Sequence, residues 1–171
     1  MSAKDCESSE RIRFAVVGDV PLILELIKGL AEFEKLAHEV VATEALLREQ
    51  LFSAKPAAEV IICEIKENGA WKSAGFALFF TSFSTFLAKP GIYLEDLFIK
   101  PEIRSRGLGK KMLSHLAQIA VARGCGRLEW SVLDWNVRAR AFYEALGATP
   151  LNEWTVHRVA GSELESLAEQ T

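Results

Sequence analysis

The run Tyr93-Leu94-Glu95-Asp96-Leu97-Phe98-Ile99, followed by Arg104-Ser105-Arg106-Gly107-Leu108-Gly109, constrains this chain more than any other feature. Its first part has the apolar character of a buried strand. Its second part is a basic turn punctuated by glycine. From there apolar residues recur at helical spacing: Leu108, Met112, Leu113, Leu116, Ile119 and Ala120. Strand, tight turn and helix in that order leave backbone N–H groups exposed at a helix start, where an anion such as a phosphate is favoured. Gly107 and Gly109 permit positive φ and close approach by a ligand, while Arg104, Arg106, Lys110 and Lys111 add positive charge. The turn is not a dinucleotide fingerprint, which wants a third glycine where Met112 stands, nor a P-loop, which wants a Lys-Ser/Thr pair after a longer glycine frame. Taken alone it also reads as a plain strand-to-helix connection with a solvated basic rim. Two carboxylates, Glu95 and Asp96, lie on the strand leading into it. Strict alternation would send them to opposite faces.

The remaining sequence alternates between strand and helix signals. A strand over 11–17 ends at Gly18-Asp19, and Asp19 can cap a helix whose second position is Pro21. Leu22, Leu26, Leu30 and Phe33 carry that helix, and Thr43 opens a second one through about 53. Strands over 59–67 and 73–81 flank Asn68-Gly69, a strong hairpin turn. A loop over 81–90 precedes the strand over 92–100. The helix from 108 ends at Gly124. A strand over 127–133, a helix over 136–146, a strand over 154–159 and a closing helix over 162–170 complete the order. Three antiparallel strands followed by a β-α-β crossover predict a mixed central sheet flanked by helices, an α/β fold. Residues 1–10 are polar and read as a flexible N-terminus; residues 11–171 read as one domain.

Composition narrows the function. A formal net charge of −3 and no basic run interleaved with aromatics outside 104–111 argue against nucleic acid. The longest apolar runs are too short for a membrane span, and the first residues lack the apolar stretch of a signal peptide. Cys6, Cys63 and Cys125 are odd in number and irregular in spacing, so neither a disulfide framework nor a metal site is expected. Cytoplasmic localisation follows as the default.

Arg104-x-x-Gly107-x-Gly109 after an apolar strand resembles the acetyl-CoA pyrophosphate loop of the GNAT N-acetyltransferase superfamily. The likeness spans nearly the whole chain and sharpens at Leu30-Ala31-Glu32-Phe33-Glu34-Lys35, Tyr93-Leu94-Glu95-Asp96, Val132-Leu133-Asp134-Trp135-Asn136 and Phe142-Tyr143-Glu144-Ala145-Leu146-Gly147-Ala148. Together these blocks resemble the diamine acetyltransferases, the spermidine/spermine enzymes and their thialysine-acetylating relatives. The resemblance implies acetyl-CoA as cosubstrate, a small-molecule amine as acceptor and a homodimer. It implies Tyr143 as general acid toward the departing thiolate and Glu95 as base toward the amine, directly or through water. It implies cosubstrate contacts from Leu97, Phe98, Ile99, Arg104, Ser105, Arg106, Gly107, Leu108, Gly109, Lys110, Asn136, Val137, Arg138 and Ala139. It implies substrate contacts from Phe33, Glu34, Glu95, Asp96, Ser84, Thr85, Glu129, Trp130 and Ser131.

A base is needed on physical grounds. An alkyl ammonium has a pKa of about 10.4, so about one amine in 2,500 is neutral at pH 7, a cost of about 4.6 kcal/mol. Glu32, Glu34 and Glu39 read either as a solvated acidic face or as an attraction for a cationic amine. Polyamine-specific enzymes carry an acidic residue in the loop before the Tyr93-Leu94-Glu95-Asp96 strand. Here Ser82-Phe83-Ser84-Thr85-Phe86-Leu87-Ala88-Lys89-Pro90 has none. A Ser-Thr pair there resembles the thialysine type, and Phe86-Leu87-Ala88-Lys89-Pro90-Gly91 resembles plant members that take ornithine-type substrates. The expected acceptor is therefore thialysine, ornithine, a lysine-like amino acid or a short diamine. A polyamine N1-acetyltransferase, a protein or peptide N-acetyltransferase and a non-catalytic acetyl-CoA-binding module are the alternatives.

Overall fold

Asn68-Gly69 forms the expected tight turn and joins two long antiparallel strands, β2 (Glu59–Glu67) and β3 (Ala70–Ser84). The computed structural model describes residues 9–170, which fall into two compact units divided between Ser131 and Val132. In the first unit, β1 (Glu10–Phe14) pairs antiparallel with β2, and β4 (Lys89–Ile99) pairs antiparallel with β3. A parallel partner, β5 (Leu128–Trp130), completes a five-stranded mixed sheet in the order β1-β2-β3-β4-β5. The α/β fold with a mixed sheet flanked by helices is the one expected.

Two helices, α1 (Val20–Glu34) and α2 (Glu44–Phe52), cover one face. Ile23, Leu26 and Leu51 from these helices bury against Val60, Ile62, Phe76 and Phe98 from the sheet. Alternate residues of the same strands, Ile61, Cys63, Ala77 and Phe79, are buried on the opposite face. On that side α3 (Leu108–Ala122) packs against β4 and β5, with Leu108, Met112, Leu113, Leu116 and Ala120 buried. Thr43 caps α2 as its sequence suggests, accepting from the Leu46 N–H at 3.3 Å.

Asp19 departs from expectation. It makes no side-chain cap on α1. Its carboxylate instead takes a two-pronged ion pair from Arg13 at 2.7 and 2.9 Å and accepts from the Val16 N–H. Arg13 also reaches Glu64, a buried carboxylate that Arg11 meets at 2.5 Å. Burial alone would raise the Glu64 pKa, but the hydrogen bonds from Arg13 and Arg11 outweigh it and hold the carboxyl below its ordinary value. A two-pronged ion pair to a guanidinium outcompetes a single bond to a helix N–H.

Other boundaries move. The strand expected over 11–17 is Glu10–Phe14, followed by a short 3-10 turn over Val17–Asp19. The loop expected over 81–90 shrinks to a hairpin tip, because β3 runs on to Ser84 and β4 starts at Lys89. The strand expected over 127–133 is three residues long. Of the flexible segment expected over 1–10, positions 1–8 lie outside the described residues, and Glu10 already pairs with Ile65.

The second unit holds α4 (Val137–Ala145) and α5 (Ser162–Ala168). The strand expected over 154–159 is absent: these residues carry no regular structure, and Trp154 and Val156 are exposed. Apolar alternation alone does not make a strand without a partner ladder to satisfy its backbone. No helix of the described residues is long and apolar enough to cross a membrane.

Gly75 sets the spacing between β3 and β4. A Cβ there would stand 2.2 Å from the Phe98 carbonyl oxygen and 2.8 Å from the Ile99 side chain. Backbone on that side cannot yield cheaply. Gly75→Ala is expected to cost more than about 2 kcal/mol, read as the drop in urea unfolding free energy; a change under about 0.5 kcal/mol would mean that the strands part easily.

Candidate active site

The strand alternation of β4 breaks at Glu95. Leu94 pairs with Phe79 and Asp96 with Leu78, so Glu95 is an extra residue set opposite the Leu78–Phe79 step, a β-bulge. Leu94 therefore shares the face of Phe79, where Arg123 of the α3 exit approaches the ring. Asp96 and Phe98 share the face of Leu78 and Phe76, beneath α1. Plain alternation along β4 is thus broken at this point, and Asp96 lies on the face opposite to the one that alternation from Leu94 would give it. Pairing with β5 also stops here: Ile92, Tyr93 and Leu94 have parallel partners in Leu128, Glu129 and Trp130, and none is found for Glu95–Ile99. From Glu95 to Ile99 the β5-side edge of β4 thus has no strand partner among the described residues.

The bulge brings three acidic groups to the C-terminal end of α1. Asp96 is pushed up to about 6, first by burial and then by the charges of Glu95 and Glu34. Burial also raises Glu34 above its ordinary value. The end of α1 adds partial negative charge from its last carbonyls. A cation fits this corner, and a second anion does not.

Beyond β4 the chain makes a 3-10 turn over Pro101–Ile103 and enters the basic turn. Ser105 and Gly107 both take positive φ, 67° and 78°, and no atom stands within 4 Å of a Cβ placed on Gly107. No side chain caps the start of α3, whose leading N–H groups have no partner within the helix. Gly107, Lys110, Lys111, Ser114 and His115 line an open groove along the first turns of α3, with Lys111 paired to Glu10. Arg104 does not project into this groove. Its Nε donates to the Ile99 carbonyl at 2.9 Å, and its guanidinium lies 4.2 Å from the Phe33 ring centroid.

Other expected substrate residues sit elsewhere or are engaged. Ser84 is buried at the end of β3, where its Oγ accepts from the Leu87 N–H and shapes the hairpin tip; Thr85 is exposed on that tip. Ser84 lies about 20 Å along β3 from Leu78, the partner of Asp96, at roughly 3.4 Å per residue. Glu129 lies 2.6 Å from Arg127 Nε. Ser131 shares a 2.8 Å hydrogen bond with Tyr93, and Trp130 is half-buried opposite Leu94. In the second unit, Asn136 caps α4 by accepting from the Ala139 N–H at 3.2 Å. Val137 and Arg138 are exposed in the first turn of α4, and Tyr143 is half-buried with its ring 5.3 Å from that of Phe142.

The Acetyltransferase (GNAT) family matches residues 27–148, a span that takes in the bulge, the basic turn and α4. The chain belongs to that family. It is 39% identical over 164 residues to thialysine N-epsilon-acetyltransferase of Bos taurus, covering 92% of this chain and 96% of that one. It is 36% identical over 198 residues to L-ornithine N5-acetyltransferase of Arabidopsis thaliana, covering 92% and 87%. Among solved structures, an integron cassette protein from the mobile metagenome of V. cholerae superposes with a TM-score of 0.75 at 27% identity, covering 95% and 99%. The chain is an N-acetyltransferase that moves an acetyl group from acetyl-CoA to an amine. The basic turn fits the diphosphate of that donor: positive φ at Ser105 and Gly107, space above Gly107 and an uncapped helix start.

The Asp96 carboxyl gives a pH test. Its pKa is higher in the native chain than in the unfolded one, so the native state holds the proton where the unfolded chain has released it. Stability therefore falls as pH rises from about 4 through about 6. With about 1.4 kcal/mol per pKa unit, the cost above pH 6 reaches at most about 3 kcal/mol. Asp96→Asn should match the parent at pH 4 and exceed it in unfolding free energy at pH 8. An equal difference at both pH values would show that the carboxyl is not held protonated.

Proposed function

We propose that this enzyme acetylates a side-chain primary amine of a small diamino acid or short diamine, of the thialysine or ornithine kind. The observation that carries this reading is the acidic corner at the end of α1, where burial and the charges of Glu95 and Glu34 all bear on the Asp96 carboxyl. Ionised carboxylates crowded there repel, and an ammonium group relieves the repulsion. The names of the relatives point the same way, since those proteins are thialysine and ornithine acetyltransferases. The hairpin tip beyond Ser84 offers Thr85, Phe86, Leu87 and Ala88 and no carboxylate, which disfavours the distant ammonium groups of a long polyamine.

When bound, acetyl-CoA supplies a thioester carbonyl for attack and a thiolate leaving group. In this reading Leu108, Gly109 and Lys110 offer backbone N–H groups to the diphosphate, with Arg104, Ser105, Arg106 and Gly107 shaping the turn. The unpaired edge of β4, at Leu97 and Ile99, holds the pantetheine arm, and Phe98 packs beneath it. Asn136, Val137, Arg138 and Ala139 contribute from the start of α4. Phe33, Glu34 and Asp96 receive the amine, with Glu129, Trp130 and Ser131 on the β5 side. Glu95 takes the ammonium proton, directly or through water, and Tyr143 returns one to the departing sulfur.

The reading is tested with purified enzyme by following thiol release over a panel of thialysine, ornithine, lysine, putrescine, spermidine and an N-terminal peptide. Thialysine or ornithine should give the highest kcat/KM, at least about tenfold above spermidine, matching the loss of about 1.4 kcal/mol of binding. Preference for spermidine or for the peptide would replace the substrate assignment. Tyr143→Phe should lower kcat by about 10²-fold or more with acetyl-CoA affinity nearly unchanged; unaltered turnover would remove Tyr143 from the proton path.

The same reading takes the enzyme as a cytoplasmic homodimer. The support is an apolar set, Leu151, Trp154, Val156 and Val159, exposed on a segment with no strand partner. Sedimentation at micromolar concentration should give twice the chain mass, and the mass of one chain would refute the dimer.

A further inference from the structure

Phe33 stands on the amine side of the proposed site, at the last turn of α1. Arg104 stands on the other side, at the entry to the basic turn. The structure joins them. The Arg104 guanidinium carbon lies 4.2 Å from the Phe33 ring centroid and 5.7 Å from that of Phe98. Its Nε donates to the Ile99 carbonyl at 2.9 Å, which fixes the guanidinium plane from below. Arg104 is half-buried and Phe33 is 37% exposed, so the contact is partly shielded from water. A guanidinium over an aromatic face is held by the ring quadrupole and by stacking, and partial desolvation strengthens the contact.

We propose that Phe33 is a positioning residue for the cosubstrate: it acts on acetyl-CoA through Arg104. An arginine carries considerable rotamer freedom, and ordering it at the moment of binding costs affinity. With Phe33 and the Ile99 carbonyl holding it, that ordering is complete before the ligand arrives. The backbone from Arg104 to Gly107 includes two residues at positive φ, so a wandering side chain at its entry would loosen the turn as well. Reciprocity follows from linkage: if Phe33 supports the cosubstrate turn, a bound cosubstrate supports the end of α1, where Glu34 and Asp96 meet the amine. Two sites that the sequence keeps some seventy residues apart are thereby coupled through one cation–ring contact.

The inference rests on the proposed reading of the 104–109 turn as the diphosphate site, and the experiment separates the two. Coenzyme A and acetyl-CoA binding are measured by calorimetry on the full chain without amine, for Phe33→Leu, Phe33→Tyr, Arg104→Ala and the Phe33→Leu/Arg104→Ala pair. Urea midpoints run alongside to confirm folding. Phe33→Leu should raise Kd about three- to tenfold, the range set by ordering one long side chain. Phe33→Tyr, which keeps the ring face, should restore the parent affinity to within about twofold. In the Arg104→Ala background Phe33→Leu should add almost nothing, so the double variant should bind like Arg104→Ala alone. A double variant weaker by the product of the two single effects overturns the coupling and leaves the diphosphate reading intact. Unchanged Kd in Phe33→Leu does the same. Unchanged Kd in Arg104→Ala removes both the role of Arg104 in shaping the diphosphate turn and this inference. If the coupling holds, saturating acetyl-CoA should lower the KM for the amine in the parent and do so several-fold less in Phe33→Leu, a split that a merely structural ring would not produce.

Discussion

A single extra residue in β4 organises the chemistry of this chain. Glu95 has no partner across the β3 ladder, and everything C-terminal to it is turned over. Without the bulge, Asp96 and Phe98 would face α3 and the apolar layer around Phe79. With it, Phe98 becomes part of the layer beneath α1, and Asp96 comes under the influence of Glu34. The β4–β5 pairing ends at Leu94, the residue before the bulge. Bulges increase local twist and terminate pairing, so one backbone irregularity accounts for both the open strand edge and the acidic corner. The β3 side has to tolerate this, and Gly75 does so by leaving room for the Phe98 carbonyl.

The acidic corner carries a tension that suits a cationic acceptor. Burial and neighbouring charge hold the Asp96 proton to about pH 6, so the empty site is strained near neutrality by its own charges. An ammonium group entering there relieves that strain, yet the same group must lose a proton before it can attack. On the proposed reading, binding and reaction thus make opposite demands on the corner, and three carboxylates can meet both: two hold the cation while the third accepts its proton. The hairpin tip lies too far along β4 to share in this within the same chain, and the Ser84 hydroxyl is engaged in the turn.

Much of the scaffold is legible in the sequence, and the exceptions have physical causes. Asn68-Gly69, the Thr43 cap and the α3 stripe from Leu108 to Ala120 are local signals, and each appears where the residues place it. The bulge is a register event between two strands, and only the adjacent acids within an apolar run, Leu94-Glu95-Asp96-Leu97, hint at it. Asp19 looks like a helix cap until its partner Arg13, on the strand before it, is known. The Trp154–Val159 stretch has strand-like composition but acquires no ladder, and composition cannot supply one. At the candidate site the basic turn and the acidic pair are visible as motifs. The stacking of Arg104 on Phe33 is not, because nothing in the spacing of those residues foretells that α1 ends over the exit of β4.

That stacking bears on how the acyl group travels. A two-step route needs a nucleophile that is exposed and ionised. Cys63 is buried within the sheet, and burial pushes its thiol up to about 11, so about one molecule in 10⁴ would carry a thiolate at pH 7. Cys125 follows the end of α3, where its backbone N–H closes the helix on the Ala120 carbonyl. Neither belongs to the acidic corner or the basic turn. What links those two places is instead a short physical chain: the Ile99 carbonyl, the Arg104 guanidinium, the Phe33 ring and the adjacent Glu34. On the proposed reading, a scaffold that fastens the donor turn to the acceptor end of α1 through neighbouring side chains holds two substrates at once, the arrangement that direct transfer from thioester to amine requires.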